Sequence, residues 1–272
     1  MKKFIGIIFL LGLLGSGMLF ANRVRITEFA RDFKKEQLPV AVSYENASGK
    51  KITTGAKEPA VKILVQAPTS TVPKEVPKAS QEESPLTFNL AVPFTPQAPH
   101  ANWEQPYQDA CEEASVAMVH YFYSKKSFTP EIADKEILNF AAFENKMLGF
   151  DKDTTAQQSA EMARGFYGYK KIEVVFDPTI DAIKKHIVAG TPVILPVYGR
   201  ALNNPYFTPP GPDYHMLVVK GYTRDKFITN DPGTKRGADY LYSFDVLMNA
   251  IHDFNGGDVP NGKKVMIIIY PN

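Results

Sequence analysis

Residues 114–123 are apolar apart from Ser115 and His120. A helix that is apolar on most of its sides is a buried one, so this stretch predicts a central buried helix. Asp109 can serve as the N-cap of that helix, and Glu112 three residues later completes an Asp-x-x-Glu capping box. The pattern therefore predicts both the burial of this helix and the point at which it begins.

The rest of the pattern places most helices before most strands. Further helices are predicted, from apolar spacing and terminal signals, over about Pro130–Lys146, Thr155–Tyr167, Ile180–Val188 and Phe244–Ile251. Strands are predicted at Leu90–Phe94, Lys171–Phe176, Pro192–Tyr198, His215–Tyr222, Lys226–Thr229 and Val265–Tyr270. This order of elements is that of an α+β fold.

The N-terminus is patterned differently from the rest. Met1-Lys2-Lys3 is followed by Phe4–Phe20, a run of apolar, Gly and Ser residues without a charge. A short basic region before an apolar segment is typical of an export signal, and the run is also close to the shortest length that spans a bilayer. Residues 1–21 are therefore predicted to be a removed signal peptide or an uncleaved membrane anchor. Either way, the rest of the chain is expected to be extracytoplasmic, and to be secreted or membrane-anchored.

A linker is predicted between this segment and the folded domain. Residues 67–85 are rich in Pro, Ser, Thr, Lys and Glu, and such a composition cannot bury enough apolar surface to offset the entropy lost on ordering. Residues 22–86 are therefore predicted to form a flexible, Pro-rich stalk, extended by its prolines. Residues 87–272 are predicted to form the folded domain.

Composition and charge exclude several functions. The net charge is +2, and the chain has neither a basic run interleaved with aromatics nor a Gly-rich phosphate loop, so no nucleic-acid partner is expected. The histidines show no metal-ligand spacing with Cys, Asp or Glu, and no metal or other cofactor is expected. The chain is expected to be a monomer. Its single cysteine cannot form a disulfide within the chain, which is a liability in an exported protein unless the thiol is buried or useful.

That cysteine is Cys111, in the first turn of the predicted central helix. Unpaired backbone N–H groups and the positive end of the helix dipole favour a thiolate there, and the thiolate is the nucleophilic form. However, free cysteine is also among the most buried residue types, and the neighbouring Glu112 and Glu113 act to raise the thiol pKa. Cys111 by itself leaves both a catalytic and a structural role open.

The other groups that cysteine catalysis needs have candidates elsewhere in the chain. Catalysis needs a base, a group that orients the base, and donors that meet the developing oxyanion. His215 begins an apolar strand and Asp231 ends its hairpin partner, so the two side chains are expected to lie within reach of each other. Gln105, upstream of Cys111, can donate to an oxyanion beside the Cys111 backbone N–H, with Gln108 as its competitor. A strand-end His, a turn Asp and a solvated Gln are the alternative interpretations.

Together these residues resemble the papain-like cysteine peptidases of the bacteriocin-processing, double-glycine-leader type and their C-thirty-nine-like relatives. The matching motifs, from Val92 to the C-terminal part, are Val92-Pro93-Phe94, Gln97, Trp103, Gln105 with Cys111, Ala114-Ser115, Ala117-Met118-Val119, His215–Tyr222 and Asn230-Asp231-Pro232-Gly233. The processing enzymes usually have Cys-Gly-Pro at the nucleophile, whereas this chain has Cys111-Glu112-Glu113. The resemblance therefore extends to the fold and the triad but not to a double-glycine leader as substrate.

The resemblance implies a papain-like fold, in which a helical part with a central nucleophile helix packs on an antiparallel sheet. It implies Cys111 as nucleophile, His215 as general base and later acid, Asp231 as the group that orients the imidazole, and Gln105 as part of the oxyanion hole. The implied reaction is hydrolysis of peptide or amide bonds in a peptide or protein substrate, through a thioester. Two alternatives stay open: a thiol acyltransferase or cell-wall amidase with the same residues, and a catalytically inactive papain-like binding module.

Overall fold

The structure is a computed structural model that describes residues 36–49, 84–150 and 152–272. The signal peptide or anchor predicted over residues 1–21 lies outside the described residues, and so does most of the predicted stalk. Within the described ranges, none of the helices is both long and apolar enough to cross a bilayer. Pro39–Asn272 is one compact unit, and it contains all of the elements discussed below.

The described residues form helices and an antiparallel sheet. The α-helices are α1 Tyr44–Ser48, α2 Cys111–Tyr123, α3 Pro130–Leu148, α4 Ala156–Tyr167, α5 Ile180–Val188 and α6 Phe244–Ala250. The strands are β1 Phe88–Asn89, β2 Ile172–Phe176, β3 Val193–Tyr198, β4 Tyr214–Tyr222, β5 Lys226–Asn230, β6 Tyr240–Ser243 and β7 Val265–Ile269. The 3-10 helices are Tyr107–Asp109, Gly199–Leu202 and Val259–Asn261. Most helices precede most strands, and the α+β class is confirmed.

Polar residues at their ends explain why helices α4 and α5 form where they do. Thr155 and Gln158 form a capping box at the start of α4, in which each side chain bonds to the backbone of the other residue. Gly168 ends the same helix in the left-handed conformation, with a φ of 74°, which costs glycine no steric strain. Thr179 caps α5 by accepting a hydrogen bond from Ala182 N. These signals are local, which is why the sequence predicts both helices closely.

The sheet supplies the platform on which α2 packs. Its strands follow the order β2-β7-β3-β4-β5-β6, and β1 pairs with β4 off this path. Strands β3, β4 and β7 are buried along almost their whole length. Helix α2 is buried at nearly every position and bonds directly to β4, because Ser115 Oγ donates to the backbone oxygen of Met216 at 3.2 Å. Burial of this kind contributes about 25 cal/mol for each Å² of apolar surface removed from water.

The sheet edges differ from the sequence prediction. The predicted strand Leu90–Phe94 begins earlier, as β1, and its ladder reaches Leu90, whose N–H donates to Lys220 O at 2.8 Å. Pro93 has no N–H to donate, so the pairing does not extend through the predicted segment. Strand β6 has no counterpart in the prediction, because it is a short strand that is mostly half-buried and lacks a long apolar alternation.

The described part of the predicted stalk packs on the folded domain. Val42 forms a parallel bridge with Leu90, and the rings of Tyr44 and Phe122 meet edge to face with their centroids 5.8 Å apart. Ala47 on α1 is buried. Residues 22–86 are predicted from the sequence to form a flexible stalk, and α1 within that range instead packs on the domain. A few apolar contacts hold it there, although its sequence has no clear helical pattern.

Replacing Ala47 with Asp tests whether α1 belongs to the fold. Ala47→Asp is expected to lower the free energy of unfolding by about 1–3 kcal/mol, because it places a carboxylate in the apolar contact with Gly190. Asn46→Asp adds the same side chain at the exposed neighbouring position and is expected to change stability by about 0.5 kcal/mol or less. Urea unfolding followed by circular dichroism measures both. Equal midpoints for the two variants would show that α1 contributes nothing to stability.

Candidate active site

Cys111 is the first residue of α2, at the point where the buried helix meets the preceding loop. The capping box predicted with Asp109 does not form: the N-cap is Ala110, and no side chain caps the helix there. Asp109 instead ends a 3-10 turn, in which its Oδ2 accepts a hydrogen bond from Gln105 Nε2 at 2.7 Å. The prediction of this cap was wrong because the 3-10 turn occupies the position that an N-cap residue would take.

The thiol of Cys111 donates a hydrogen bond to Glu112, with 2.9 Å between Sγ and Oε2. Burial raises the pKa of the Cys111 thiol well above its usual value, and the carboxyl groups of Glu112 and Asp153 add to the effect. Burial also raises the pKa of Glu112, with Glu113 and Asp153 adding to it. The resting site therefore favours the neutral forms of both the thiol and the adjacent carboxyl group.

His215 and Asp231 are brought together from neighbouring strands. His215 lies on β4, Asp231 directly follows β5, and the register pairs Val218 with Asn230, so the two side chains meet diagonally. His215 Nε2 and Asp231 Oδ1 are 2.8 Å apart, and both residues are buried. With Nε2 bound to this carboxylate, Nδ1 is the imidazole nitrogen that remains to accept a proton.

Asp231 is held by a set of hydrogen-bond donors. Its Oδ1 accepts from Gly233 N at 3.0 Å, and its Oδ2 accepts from Tyr242 OH at 2.6 Å and Asn204 Nδ2 at 3.2 Å. Burial acts to raise the pKa of Asp231, but His215, Tyr242 and Gly233 outweigh it and hold the pKa below its usual value. The carboxylate therefore stays ionised and can stabilise an imidazolium. No sequence motif singles out Asn204 or Tyr242, because both reach Asp231 only through the fold.

A cavity of about 620 Å³ is lined by both Cys111 and His215. Its wall also carries the carboxyl groups of Asp109, Asp153 and Asp213. Burial raises the pKa of Asp153 to about 6, with Asp109 adding to the effect and His215 opposing it. The cavity therefore contains a candidate nucleophile, a candidate base and an acidic wall.

The remaining lining of the cavity mixes aromatic and apolar residues with polar ones. The aromatic and apolar residues include Trp103, Tyr206, Phe207 and Pro212, and the polar residues include Thr208, Thr234 and Lys235. A cleft lined by both kinds of group is suited to binding a ligand. Within the described ranges, no three His, Cys, Asp or Glu side chains are grouped so as to hold a metal ion.

The side-chain amides that precede the nucleophile take different positions. Gln108 is among the residues that line the cavity. Gln105 is exposed and is not one of them; its amide donates to Asp109, whose side chain does line the cavity. The structure thus places Cys111 and His215 on one cavity and Asp231 against His215, while the role of Gln105 in an oxyanion hole stays a prediction.

Gln97 joins the two loops that border the cavity. Its backbone N–H donates to Pro232 O at 2.9 Å, in the loop that follows Asp231. Its buried side-chain Nε2 donates to Tyr107 O at 2.9 Å and to Gln108 O at 3.0 Å, in the loop that precedes Cys111. One residue therefore holds the nucleophile side of the cavity against the base side.

The sequence that forms this site matches a known protein family. Residues 89–254 match the sequence model of the Peptidase_C39 like family, and this region spans Cys111, His215 and Asp231. Among solved structures, the chain is similar to a Bacillus anthracis protein assigned as a C39-like peptidase, with 16% identity and a TM-score of 0.46. That similarity covers 67% of this chain and 96% of the other. No curated protein matches the sequence.

Removing the hydroxyl of Tyr242 tests the support of Asp231. Tyr242→Phe is expected to lower the free energy of unfolding by about 1–2 kcal/mol at neutral pH, because a donor to a buried carboxylate is lost. Because the pKa of Asp231 is held low, the stability it contributes is present at neutral pH and is lost as the pH falls through the folded-state pKa. The deficit of the variant should therefore shrink in acid.

The matched control is Tyr240→Phe, which removes a hydroxyl from a half-buried ring on the same strand. Its expected effect on stability is about 0.5 kcal/mol or less. Urea unfolding at several pH values compares the three proteins. A Tyr242 variant as stable as the Tyr240 control would contradict a supporting role for this hydroxyl.

Proposed function

This chain belongs to the Peptidase_C39 like family, and on that premise we propose that it is a cysteine peptidase that hydrolyses peptide or amide bonds. Cys111 is the nucleophile, His215 the general base and later acid, and Asp231 the group that orients the imidazole. The observation that carries the proposal is the shared cavity: Cys111 and the Asp231-bound His215 both line it, although they are about a hundred residues apart in the chain. Its substrate is a peptide or a protein.

The reaction follows from the positions of these groups. His215 accepts the thiol proton at Nδ1, and Sγ of Cys111 attacks the carbonyl carbon of the scissile bond. The imidazolium, stabilised by ionised Asp231, then protonates the leaving amine as the carbon–nitrogen bond breaks and a thioester remains. Water, deprotonated by His215, attacks the thioester carbon, and the proton returns to the sulfur as the acid product leaves.

The raised pKa of the thiol is compatible with this proposal only if a base removes the thiol proton during the reaction. A buried, neutral thiol reacts slowly until a base removes its proton, so Nδ1 of His215 must be unprotonated when substrate binds. Ionised Asp231 then stabilises the positive charge of the imidazolium that forms in the reaction. The proton transfer is therefore driven by the Asp231 carboxylate rather than by a preformed thiolate.

Two other functions use the same features. An acyltransferase or cell-wall amidase would share the three residues and differ in the acceptor or substrate that the cleft admits. A binding module would keep the cavity without catalysis, and the carboxyl groups beside the thiol favour it because they oppose thiolate formation. Assays of thiol reactivity and of hydrolysis separate these functions from the proposed one.

We also propose that the protein acts outside the cytoplasm. The support is the charge-free run Phe4–Phe20 after a basic start. Cell fractionation with an antibody to the folded domain tests this. Recovery from the cytoplasm alone would contradict it.

The single cysteine makes a direct test of the nucleophile possible. Iodoacetamide followed by intact-mass analysis is expected to modify the full native chain once and the Cys111→Ala variant not at all. Hydrolysis of a panel of peptide, leader-peptide and muropeptide probes is expected to fall on the order of 10⁴-fold in Cys111→Ala and in His215→Ala, because the groups act as a unit.

His186→Ala is the matched control, since His186 is a half-buried histidine on α5 that does not line the cavity. It should retain the activity of the wild type. The proposal fails if Cys111 is modified only after unfolding in urea, or if His215→Ala hydrolyses every probe as fast as His186→Ala.

The second oxyanion donor can be identified by comparing two substitutions. Gln105→Ala and Gln108→Ala remove the two side-chain amides that precede the nucleophile. Loss of a donor to the oxyanion lowers kcat by about 10²–10³-fold with little change in KM, since the contact forms only in the transition state. One of the two variants is expected to show this pattern. Equal and small effects in both would contradict a role for either amide in the oxyanion hole.

A further inference from the structure

The carboxyl group of Glu112 lies against the sulfur of the proposed nucleophile. Glu112 is 1% exposed, and its Oε2 is 2.9 Å from Sγ of Cys111. A buried carboxylate beside a nucleophilic thiol is unfavourable for catalysis, because an anion at this distance opposes formation of a second anion. The position therefore requires an explanation that the three proposed catalytic residues do not provide.

The other oxygen of Glu112 is fixed by the backbone. Thr154 N donates to Oε1 at 2.8 Å. Thr154 is itself held on two sides, because Tyr214 OH donates to its backbone oxygen at 2.8 Å and its hydroxyl lies 2.9 Å from Ser159 Oγ. Glu112 thus has one oxygen that accepts from a rigid N–H and one that is directed at sulfur.

The charges around Glu112 disfavour its ionised form. Burial is the largest effect, and the carboxyl groups of Glu113 on the same helix and Asp153 in the segment before α4 add to it, so its pKa is raised well above the usual value. From the sheet, Tyr214 on β4 also interacts with it electrostatically. Cys111 and Thr154 oppose the rise through their hydrogen bonds. The net result favours a proton on the carboxyl group.

We propose that Glu112 is a positioning residue for the reaction proposed above: its neutral carboxyl group, fixed at Oε1 by Thr154, donates its own O–H from Oε2 to the sulfur of Cys111. In the resting state the thiol donates to Oε2, as observed. When His215 takes the thiol proton, the carboxyl O–H turns to the thiolate and holds it for attack. The carboxyl proton stays on Glu112 throughout, so His215 carries the only proton that moves.

This role has a consequence for pH dependence. While Glu112 is neutral, it supports the thiolate; once Glu112 ionises, its charge opposes the thiolate. Hydrolysis should therefore be lost as the pH rises through the pKa of Glu112, in addition to any loss caused by other groups. A glutamine at this position has the same shape as the neutral acid: its Oε1 can accept from Thr154, and its amide can donate to sulfur without ionising.

The test compares Glu112→Gln with Glu112→Ala in the full chain. Thiolate formation is followed by ultraviolet absorbance as the difference between each protein and its Cys111→Ala counterpart, which needs no substrate. Glu112→Gln is expected to form at least as much thiolate as the wild type at every pH and to lose the alkaline decline in hydrolysis. Glu112→Ala is expected to form about tenfold less thiolate than Glu112→Gln at the same pH, because a hydrogen bond to a charged group is lost.

Glu161→Gln, an exposed carboxyl-to-amide change on α4, is the control and should match the wild type in both measurements. Circular dichroism and thermal unfolding establish that each variant is folded. The proposal is overturned if folded Glu112→Gln forms as little thiolate as Glu112→Ala, or if, at pH values below the alkaline decline, Glu112→Ala forms as much thiolate as the wild type. The two proposals can fail separately. If the variants rank as expected in thiolate formation but the wild type hydrolyses none of the probes, the proposed function is contradicted and the role of Glu112 at the thiol stands.

Discussion

The position of the candidate site depends on the packing of helix α2 against strand β4. The helix begins with Cys111, and β4 carries His215, so the contact between these elements sets the relation between sulfur and imidazole. Ser115, four residues after Cys111, donates from Oγ to the backbone oxygen of Met216 at 3.2 Å. Met216 is the residue that follows His215. Because both partners are buried, the bond is not exchanged for water, and it fixes the helix along the strand.

The ionisable groups on the two sides of the cavity have pKa values shifted in opposite directions. On the helix side, burial and neighbouring carboxyl groups keep the Cys111 thiol and Glu112 neutral. On the strand side, four donors keep Asp231 ionised in spite of burial. A neutral thiol and an imidazole with an ionised partner thus line the same cavity. A thiol that stays neutral is also less susceptible to oxidation, because oxidation follows thiolate character.

The sequence predicts features that depend on neighbouring residues and misses those that depend on the fold. Helices α4 and α5 are predicted closely because Thr155, Gln158 and Thr179 act within one turn of themselves. His215 and Asp231 are predictable because a hairpin joins their strands. In contrast, Asn204 and Tyr242 reach Asp231 from separate segments, and no local sequence pattern predicts these contacts. Local signals can also mislead. Asp109 could cap helix α2 or end a 3-10 turn, and the sequence does not show which of the two structures forms.

Gln97 bonds to backbone atoms on both sides of the cavity, and it touches neither sulfur nor imidazole in doing so. The backbone N–H and the side-chain amide of this one residue therefore link three main-chain oxygens in the two loops. A change at Gln97 or in the loops it joins can therefore alter the width of the cavity while Cys111, His215 and Asp231 stay in place. In this fold the width of the cleft and the identity of its candidate reacting groups are set by different residues.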